Sequence, residues 1–241
     1  WLPTDPFKSV MLMLITRAAL TVLGGIANFM HQFLSQTLVA RTVALRGHAS
    51  TALLVFDDLG DANRALPDLV GTGAATLELL DDVSLRVGQR LPDPPAQIAT
   101  LEVTGQAALL LEYQSTDRDE LLTQTEAAAP VLAGLPLQHP AELTDDPAVR
   151  GRLWKLRKGL YASVAGARAS GTTALLEDVV VPVKLLADTC AGLHELFNRY
   201  RYRDSVIFGH AKDGNIHFLI TDRFADDEPL LLLLLRPQPG F

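Results

Sequence analysis

The sequence predicts an α+β fold made of ferredoxin-like β-α-β units, with a mainly antiparallel sheet and helices packed on one face. Three observations predict this class. Short apolar runs suit buried strands, helix-length segments separate them, and the second half of the chain repeats the alternation. The 241 residues are 48% hydrophobic and 20% charged, so the chain is long and apolar enough to bury a substantial core.

The first half supplies three predicted strands, which are the apolar runs at residues 50–56, 74–80 and 108–113. Asp57 and Asp58 can cap a helix that extends to Leu69. A further helix is predicted to begin near Asp119, and Gly134 and Pro136 must end it.

The second half follows the same order. A helix is predicted over residues 147–165, a strand over 173–181 and an amphipathic helix over 183–200. Residues 205–221 are predicted to form a β-hairpin.

Three regions are distinguished along the chain. Residues 1–36 are an apolar N-terminal segment, 37–224 form the main domain, and 225–241 are an atypical tail with six consecutive leucines. Within the first region, Arg17 and the pair Gly24-Gly25 interrupt the apolar run, which favours a buried helix or the remnant of a preceding domain over a membrane anchor.

Composition excludes some partners. The formal net charge of -7 would repel polyanions, so we expect no binding to nucleic acid. The single cysteine, Cys190, cannot form an internal disulfide, and its position in a predicted helix favours a packed, inert thiol. We expect a cytoplasmic protein, because reduced cysteine is typical of that compartment.

Residues 209–217 carry candidate chemistry. Asp-Gly between two apolar runs predicts a two-residue type I′ turn, which would place His210 directly opposite His217. Side chains alternate along a strand, so both histidines would share one face with Lys212 and Asn215. Directly opposed Cβ atoms lie about 4.5–5.5 Å apart, close enough for two imidazoles to bind one divalent metal. An ordinary polar pair remains the alternative, because metal sites usually take three or more protein ligands.

The pattern Gly-His-x-x-Asp-Gly-Asn-x-His in this segment resembles the signature of the C-terminal domain of FAD-linked oxidases. That family contains D-lactate and D-2-hydroxyglutarate dehydrogenases. Residues 154–160, 166–168 and 177–183 match it as well. The similarity extends from about Leu38 to Phe224 and is greatest to large bacterial members that fuse the flavin part to an iron–sulfur part.

The resemblance implies oxidation of a D-2-hydroxy acid to a 2-oxo acid, with hydride passing from C2 to FAD. It implies that His210 and His217 bind a metal, with zinc a candidate, and that Asn215 lies beside the cofactor. Arg157 matches the arginine that binds the substrate carboxylate, and Arg168 is a weaker candidate for that role, since a guanidinium binds a carboxylate in bidentate geometry. Without the family, both arginines could equally be surface cations.

The chain departs from the family pattern at both ends. Only residues 1–36 stand where the FAD-binding domain is expected, so FAD would come from a domain not present in this chain. The Glu-His-Gly segment that supplies another metal ligand and a catalytic histidine is replaced by the leucine-rich tail, which suggests truncation or a reading-frame change in the source gene. We therefore expect the substrate-binding part of an enzyme, inactive as this chain. Its partners would be a small 2-hydroxy acid, an FAD-binding domain and, in the complete protein, an iron–sulfur part. The alternative is a degenerate, non-catalytic binding module or a pseudogene product.

Overall fold

The computed structural model describes residues 15–17, 21–22, 24–32, 46–202 and 204–223. The chain divides into two compact units, Trp1–Arg46 and Gly47–Phe241. Residues 15–17, 21–22 and 24–32 of the first unit are helical and exposed. No helix in the described part of the chain is both long and apolar enough to cross a membrane. The tail from residue 225 onward, which we expected to be atypical, lies outside the described residues.

Within residues 47–202 and 204–223, the second unit contains six strands and seven α-helices. The strands are β1 (His48–Phe56), β2 (Thr76–Leu80), β3 (Ala107–Ser115), β4 (Thr173–Val180), β5 (Val206–His210) and β6 (Asn215–Asp222). The helices are α1 (Leu59–Arg64), α2 (Leu66–Gly71), α3 (Asp82–Gln89), α4 (Ala96–Ala99), α5 (Arg118–Ala133), α6 (Pro147–Ala167) and α7 (Leu186–Tyr200).

The strands form one sheet in the order β1-β3-β2-β5-β6-β4, and every neighbouring pair is antiparallel. Strand β3 lies between β1 and β2, and β6 lies between β4 and β5. Each half of the sheet is therefore a split β-α-β unit, the repeating element of ferredoxin-like folds. The predicted α+β class and antiparallel sheet are confirmed.

Helices cover both faces of the sheet, whereas we expected them on one face. Helices α1, α2, α5 and α7 pack on one side and α3, α4 and α6 on the other. The cause lies in the strands: β1 carries Leu53, Leu54 and Val55 in succession, and alternate side chains point to opposite faces. A strand that is apolar at every position must be covered by other elements on both of its faces. We call the side packed by α3, α4 and α6 the α6 face, and the other the α7 face.

The sequence interpretation missed helices α3 and α4. Asp81 begins α3 as its N-cap, and its Oδ1 accepts hydrogen bonds from the backbone N–H and the hydroxyl of Ser84 at 2.8 and 2.7 Å. Its Oδ2 accepts from the backbone N–H of Ile207 at 2.6 Å, which ties the start of the helix to β5. Burial raises the pKa of Asp81 to about 7, against the opposing effect of these hydrogen bonds.

Cys190 lies on α7 and packs into the core of the α7 face with 1% of its surface exposed. Burial raises the pKa of the thiol to about 11, so it stays protonated at neutral pH. The prediction of a packed thiol is confirmed.

The two edges of the sheet differ. The loop after α5 covers the outer side of β1, where Thr51 and Thr144 exchange backbone hydrogen bonds of 2.9 and 3.0 Å. Strand β4 forms the other edge, and none of its residues is buried. The end of the sheet that carries β4 is thus the exposed one.

Candidate functional site

A row of four polar side chains crosses the exposed end of the sheet. Glu78 on β2 is the register partner of His210 on β5, and His217 on β6 is the register partner of Asp178 on β4. Glu78 Oε1 lies 2.7 Å from Nδ1 of His210, and Asp178 Oδ1 lies 3.0 Å from Nδ1 of His217. The two imidazole rings stand edge to face, with centroids 5.2 Å apart.

The hairpin that joins the histidines has a longer loop than predicted. Residues 211–213 form a 3₁₀ turn and β6 begins at Asn215, so four residues separate the strands instead of two. Phe208, and not His210, is the register partner of His217. A register change of one residue would have moved the histidines to opposite faces, but a change of two keeps them together. His210 and His217 are therefore diagonal neighbours on adjacent strands.

Two glycines allow this hairpin. Gly214 has φ +70° and ends the 3₁₀ turn, and a Cβ added there would lie 1.9 Å from the carbonyl oxygen of Val181. Gly209 has φ +152°, and its Cβ would lie 2.7 Å from Cα of Ile216. Only glycine lets β5 and the loop approach their neighbours this closely.

Helix α6 brings Arg157 to the same row. Its Nε donates to Glu78 Oε2 at 2.7 Å, and its guanidinium carbon lies 5.0 Å from the centroid of the Phe208 ring. The side chain of Glu78 is 6% exposed and that of Arg157 is 13% exposed. Glu78 therefore bridges Arg157 and His210 through its two carboxylate oxygens, largely out of water.

A second buried glutamate fixes the first half of α6. Glu112 on β3 accepts hydrogen bonds from the indole Nε1 of Trp154 at 2.6 Å, from Arg150 at 3.1 Å and from the hydroxyl of Thr51 at 2.6 Å. Burial alone would raise the pKa of Glu112, but the hydrogen bonds from Thr51, Trp154, Gln114 and Arg150 together hold the pKa below its usual value. The charged carboxylate anchors α6, and this fixes the backbone position from which the Arg157 side chain extends.

Electrostatics favour a neutral His217. Burial lowers the pKa of His217 below its usual value. His210 and Arg157 nearby also lower it, whereas the negative charges of Asp178 and Glu78 raise it. A neutral imidazole has a lone pair that can bind a metal or accept a proton.

The remaining predicted residues lie in different surroundings. Asn215 is on β6 two positions before His217, and its buried Oδ1 accepts no hydrogen bond from the described residues. Arg168 follows the last residue of α6, and its guanidinium donates to the carbonyl oxygens of Ala165 and, at 3.0 Å, of Thr172. Arg168 is exposed, and the hydrogen bonds it makes with described residues go to main-chain carbonyls and not to the histidine row.

Sequence reasoning missed Glu78 and the pairing role of Asp178. One signal was present for Glu78, since it is the single charged residue in the buried strand Thr76–Leu80. A buried carboxylate without a partner is rare, so an isolated glutamate in such a strand indicates a cation nearby.

A comparison with protein-family models matches residues 45–231 to the family described as "FAD linked oxidases, C-terminal domain". The chain belongs to this family. The match covers more than half of the sequence and includes all four residues of the polar row. A comparison with curated proteins found no match.

Two solved structures of alkyldihydroxyacetonephosphate synthase share the fold of this FAD-linked oxidase domain, both with a TM-score of 0.57. They are 9% and 8% identical in sequence, with 75% and 79% of this chain covered. A 4-ethylphenol oxidase from Gulosibacter chungangensis has a TM-score of 0.40 and 12% identity over 72% of this chain. The chain spans 37–38% of the length of these structures.

Proposed function

We propose that this domain binds the substrate of a flavin-dependent oxidoreductase that oxidises a D-2-hydroxy acid to a 2-oxo acid. The observation that carries the proposal is the bridge from Arg157 through Glu78 to His210, with both contacts at 2.7 Å. Glu78 thereby fixes the guanidinium of Arg157 and the imidazole of His210 relative to each other. A 2-hydroxy acid presents a carboxylate and a hydroxyl on adjacent carbons, which these two groups complement.

Arg157 is suited to bind the carboxylate. Its Nε is fixed by Glu78, whereas its two Nη groups make no hydrogen bond with any described residue. An incoming carboxylate can accept from these nitrogens in bidentate geometry, which a lysine could not reproduce. Anchoring Nε beforehand lowers the entropy lost when the substrate binds.

The histidines are suited to the hydroxyl. Glu78 accepts a hydrogen bond from Nδ1 of His210, and Asp178 Oδ1 lies 3.0 Å from Nδ1 of His217. A neutral ring with its proton on Nδ1 has its lone pair on Nε2. Such a nitrogen can accept the proton of the 2-hydroxyl while the hydrogen on C2 leaves as hydride. Bound FAD would supply the hydride acceptor.

We also propose that the two Nε2 atoms form part of a site for a divalent metal such as zinc. The support is the carboxylate–histidine pairing, which is the usual outer shell of metal-bound histidine. Within the described ranges no three side chains of His, Cys, Asp or Glu are arranged to hold a metal ion, so we expect weak binding. A metal held there would occupy the Nε2 lone pairs, so it would act on the 2-hydroxyl by polarising it, in place of proton acceptance by the rings.

The partner that the site requires is an FAD-binding domain. The end of the sheet that carries the row is open: the side chains of His210 and Asp178 are 50% and 60% exposed. We expect the flavin to approach from this side, with Asn215, whose Oδ1 accepts from no described residue, at its edge.

Ligand titration followed by NMR tests the proposal. We expect D-lactate and D-2-hydroxyglutarate to shift the amide signals of His210 and His217, and their L enantiomers to bind more weakly. Arg157→Gln should weaken D-acid binding about tenfold or more, because it removes charge-assisted hydrogen bonds to the carboxylate. Arg118→Gln is the matched control, since Arg118 is exposed and distant in sequence from the row. Equal affinity for both enantiomers, or equal effects of the two substitutions, would contradict the proposal.

A further inference from the structure

Three helices end at one groove, and an arginine follows each of them. Arg90 follows α3, Arg168 follows α6 and Arg201 follows α7, and all three line a groove with a volume of about 500 Å³. Arg86 lines it as well. Arg168 lies eleven residues after Arg157, which is roughly 16 Å along the helix axis, so the groove is separate from the histidine row.

We propose that this groove binds a small organic phosphate. The proposal concerns a second site and does not depend on the oxidation of a hydroxy acid. It follows from three features of the groove: arginines without partners, a strained backbone at one of them, and an apolar wall beside them.

Helix capping explains why an arginine stands at the end of the helix for only one of the three. A cation at the end of a helix is stabilised by the last carbonyl oxygens. Arg168 uses its guanidinium in this way, on the carbonyl oxygens of Ala165 and Thr172. The side chains of Arg90 and Arg201 make no hydrogen bond or ion pair with any described residue, so their guanidinium donors are available to a ligand.

The charge of the groove is not balanced by the residues around it. Arg86 is paired, with Nη2 at 2.6 Å from Asp82. Asp204 is the only acidic residue among the described residues that line the groove, and it forms no ion pair with them. Arg90 and Arg201 thus bring two unpaired positive charges to one groove, which an anion bound there would neutralise.

The backbone at Arg201 supports the same conclusion. Arg201 has φ +62° and is the only residue other than glycine with positive φ in the described part of the chain. Glycine or asparagine adopts this conformation more readily at the end of a helix. Arg201 therefore presents its guanidinium at the groove from a backbone conformation that costs free energy.

The chemistry of the wall identifies the ligand class. Phosphate is bound well by guanidinium groups, because two N–H donors match two oxygens. Val83, Val87 and Val164 line the groove beside the arginines and offer an apolar surface. A phosphate ester with an apolar body therefore matches both parts, whereas inorganic phosphate would contact the arginines alone.

NMR titration of the full chain with phenyl phosphate, inorganic phosphate and phenol tests the proposal. Phenyl phosphate should give saturable shifts at the amides of Val87, Arg90 and Tyr202. Inorganic phosphate should shift the same signals with at least about tenfold weaker affinity, and phenol should not saturate them. Arg90→Gln and Arg201→Asn should each weaken phenyl phosphate binding about tenfold. Asparagine is chosen because it tolerates positive φ.

Arg118→Gln and Arg152→Gln are the controls, since both remove the same charge from exposed positions outside the groove. They should leave the affinity within about twofold of the original protein. The proposal is overturned if phenyl phosphate does not saturate, if the controls weaken binding as much as the groove variants, or if phenol or inorganic phosphate binds as tightly as the ester.

Discussion

Glu78 accepts from two different side chains with its two oxygens. Oε2 receives Nε of Arg157 and Oε1 faces Nδ1 of His210, and only 6% of the glutamate side chain is exposed. A carboxylate in this position determines the orientation of both partners, because a group with few alternatives in a low-dielectric surrounding holds its hydrogen bonds firmly. Glu78 thus sets the distance between Arg157, the candidate carboxylate-binding group, and His210, the candidate proton acceptor. Glu78 itself does not contact the substrate in this proposal.

Glu78→Gln should uncouple these partners. A glutamine amide has one oxygen, so its NH₂ group would face a donor, and the protein should lose about 3 kcal/mol of unfolding free energy. The ¹⁵N shifts of the His210 ring should change, and affinity for D-2-hydroxy acids should fall with them. Glu112→Gln is the matched control, because Glu112 is also buried under α6 but contacts neither histidine. If Glu112→Gln changes the His210 ring equally, Glu78 has no specific role.

Zinc titration tests the histidines as a pair. We expect weak binding to the chain, which His210→Ala or His217→Ala should weaken tenfold or more, since each removes a ligand. His48→Ala, at an exposed position at the start of β1, should leave the affinity unchanged. Calorimetry measures all four proteins, and equal zinc affinity across them would mean that the pair is structural.

The sequence located the histidines but not their carboxylates. His210 and His217 share a face by alternation alone, and that prediction tolerates an error of two in the register. Glu78 is different, because it reaches His210 only when β2 lies beside β5. Nothing in the spacing of residues 76–80 and 206–210 determines that neighbourhood.

At the scale of elements, the β5–β6 hairpin shows why a local rule failed. Asp-Gly is typical of a two-residue turn in which both residues have positive φ, yet of Asp213 and Gly214 only the glycine does. The carbonyl of Gly214 accepts the backbone N–H of Val181 at 2.9 Å. That contact joins the loop to the residue that follows β4. Tertiary packing therefore selected a four-residue loop over the one that the dipeptide favours.

Gly214→Ala should lower the free energy of unfolding by about 2 kcal/mol or more. The substitution adds the cost of positive φ to a collision with the Val181 carbonyl, which is main chain and cannot rotate away. Gly105→Ala is the control, since a Cβ there meets nothing within 4 Å and φ is not positive. Urea denaturation measures both, and a similar loss in both variants would contradict the close approach.

The start of α3 should make stability depend on pH. The pKa of Asp81 is about 7 in the folded protein, above the value near 3.9 of an unfolded chain, so only the folded state keeps the proton between these values. The contribution of this group is complete below about pH 4 and is lost as the pH rises through about 7. Asp81→Asn should remove that decline although it also loses the hydrogen bond from Ile207. Asp82→Asn, at the half-buried neighbour, should retain the decline, and identical profiles for all three proteins would exclude this cause.

Across the whole molecule, the class of fold was predictable and the layering was not. Alternating strand and helix patterns identified the α+β class. Apolar runs such as Leu53–Val55 already indicate two buried faces, but α3 and α4, which help to cover the α6 face, have only eight and four residues. Helices this short leave little periodicity to detect. Of the three helices on that face, the sequence patterns predicted α6 alone.

The rate at which the Cys190 thiol is labelled can report the stability of the folded domain. Cys190 is the single cysteine of the sequence and 1% exposed, so an alkylating reagent has almost no access to it until the packing of α7 opens. When closing is fast, the labelling rate is proportional to the population of the open form, and each 1.4 kcal/mol of lost stability should speed it about tenfold. Gly214→Ala should therefore label more than tenfold faster than Gly105→Ala. Mass spectrometry of the labelled protein can rank the variants in this way without an introduced cysteine or fluorophore, as long as the sequence keeps its one thiol.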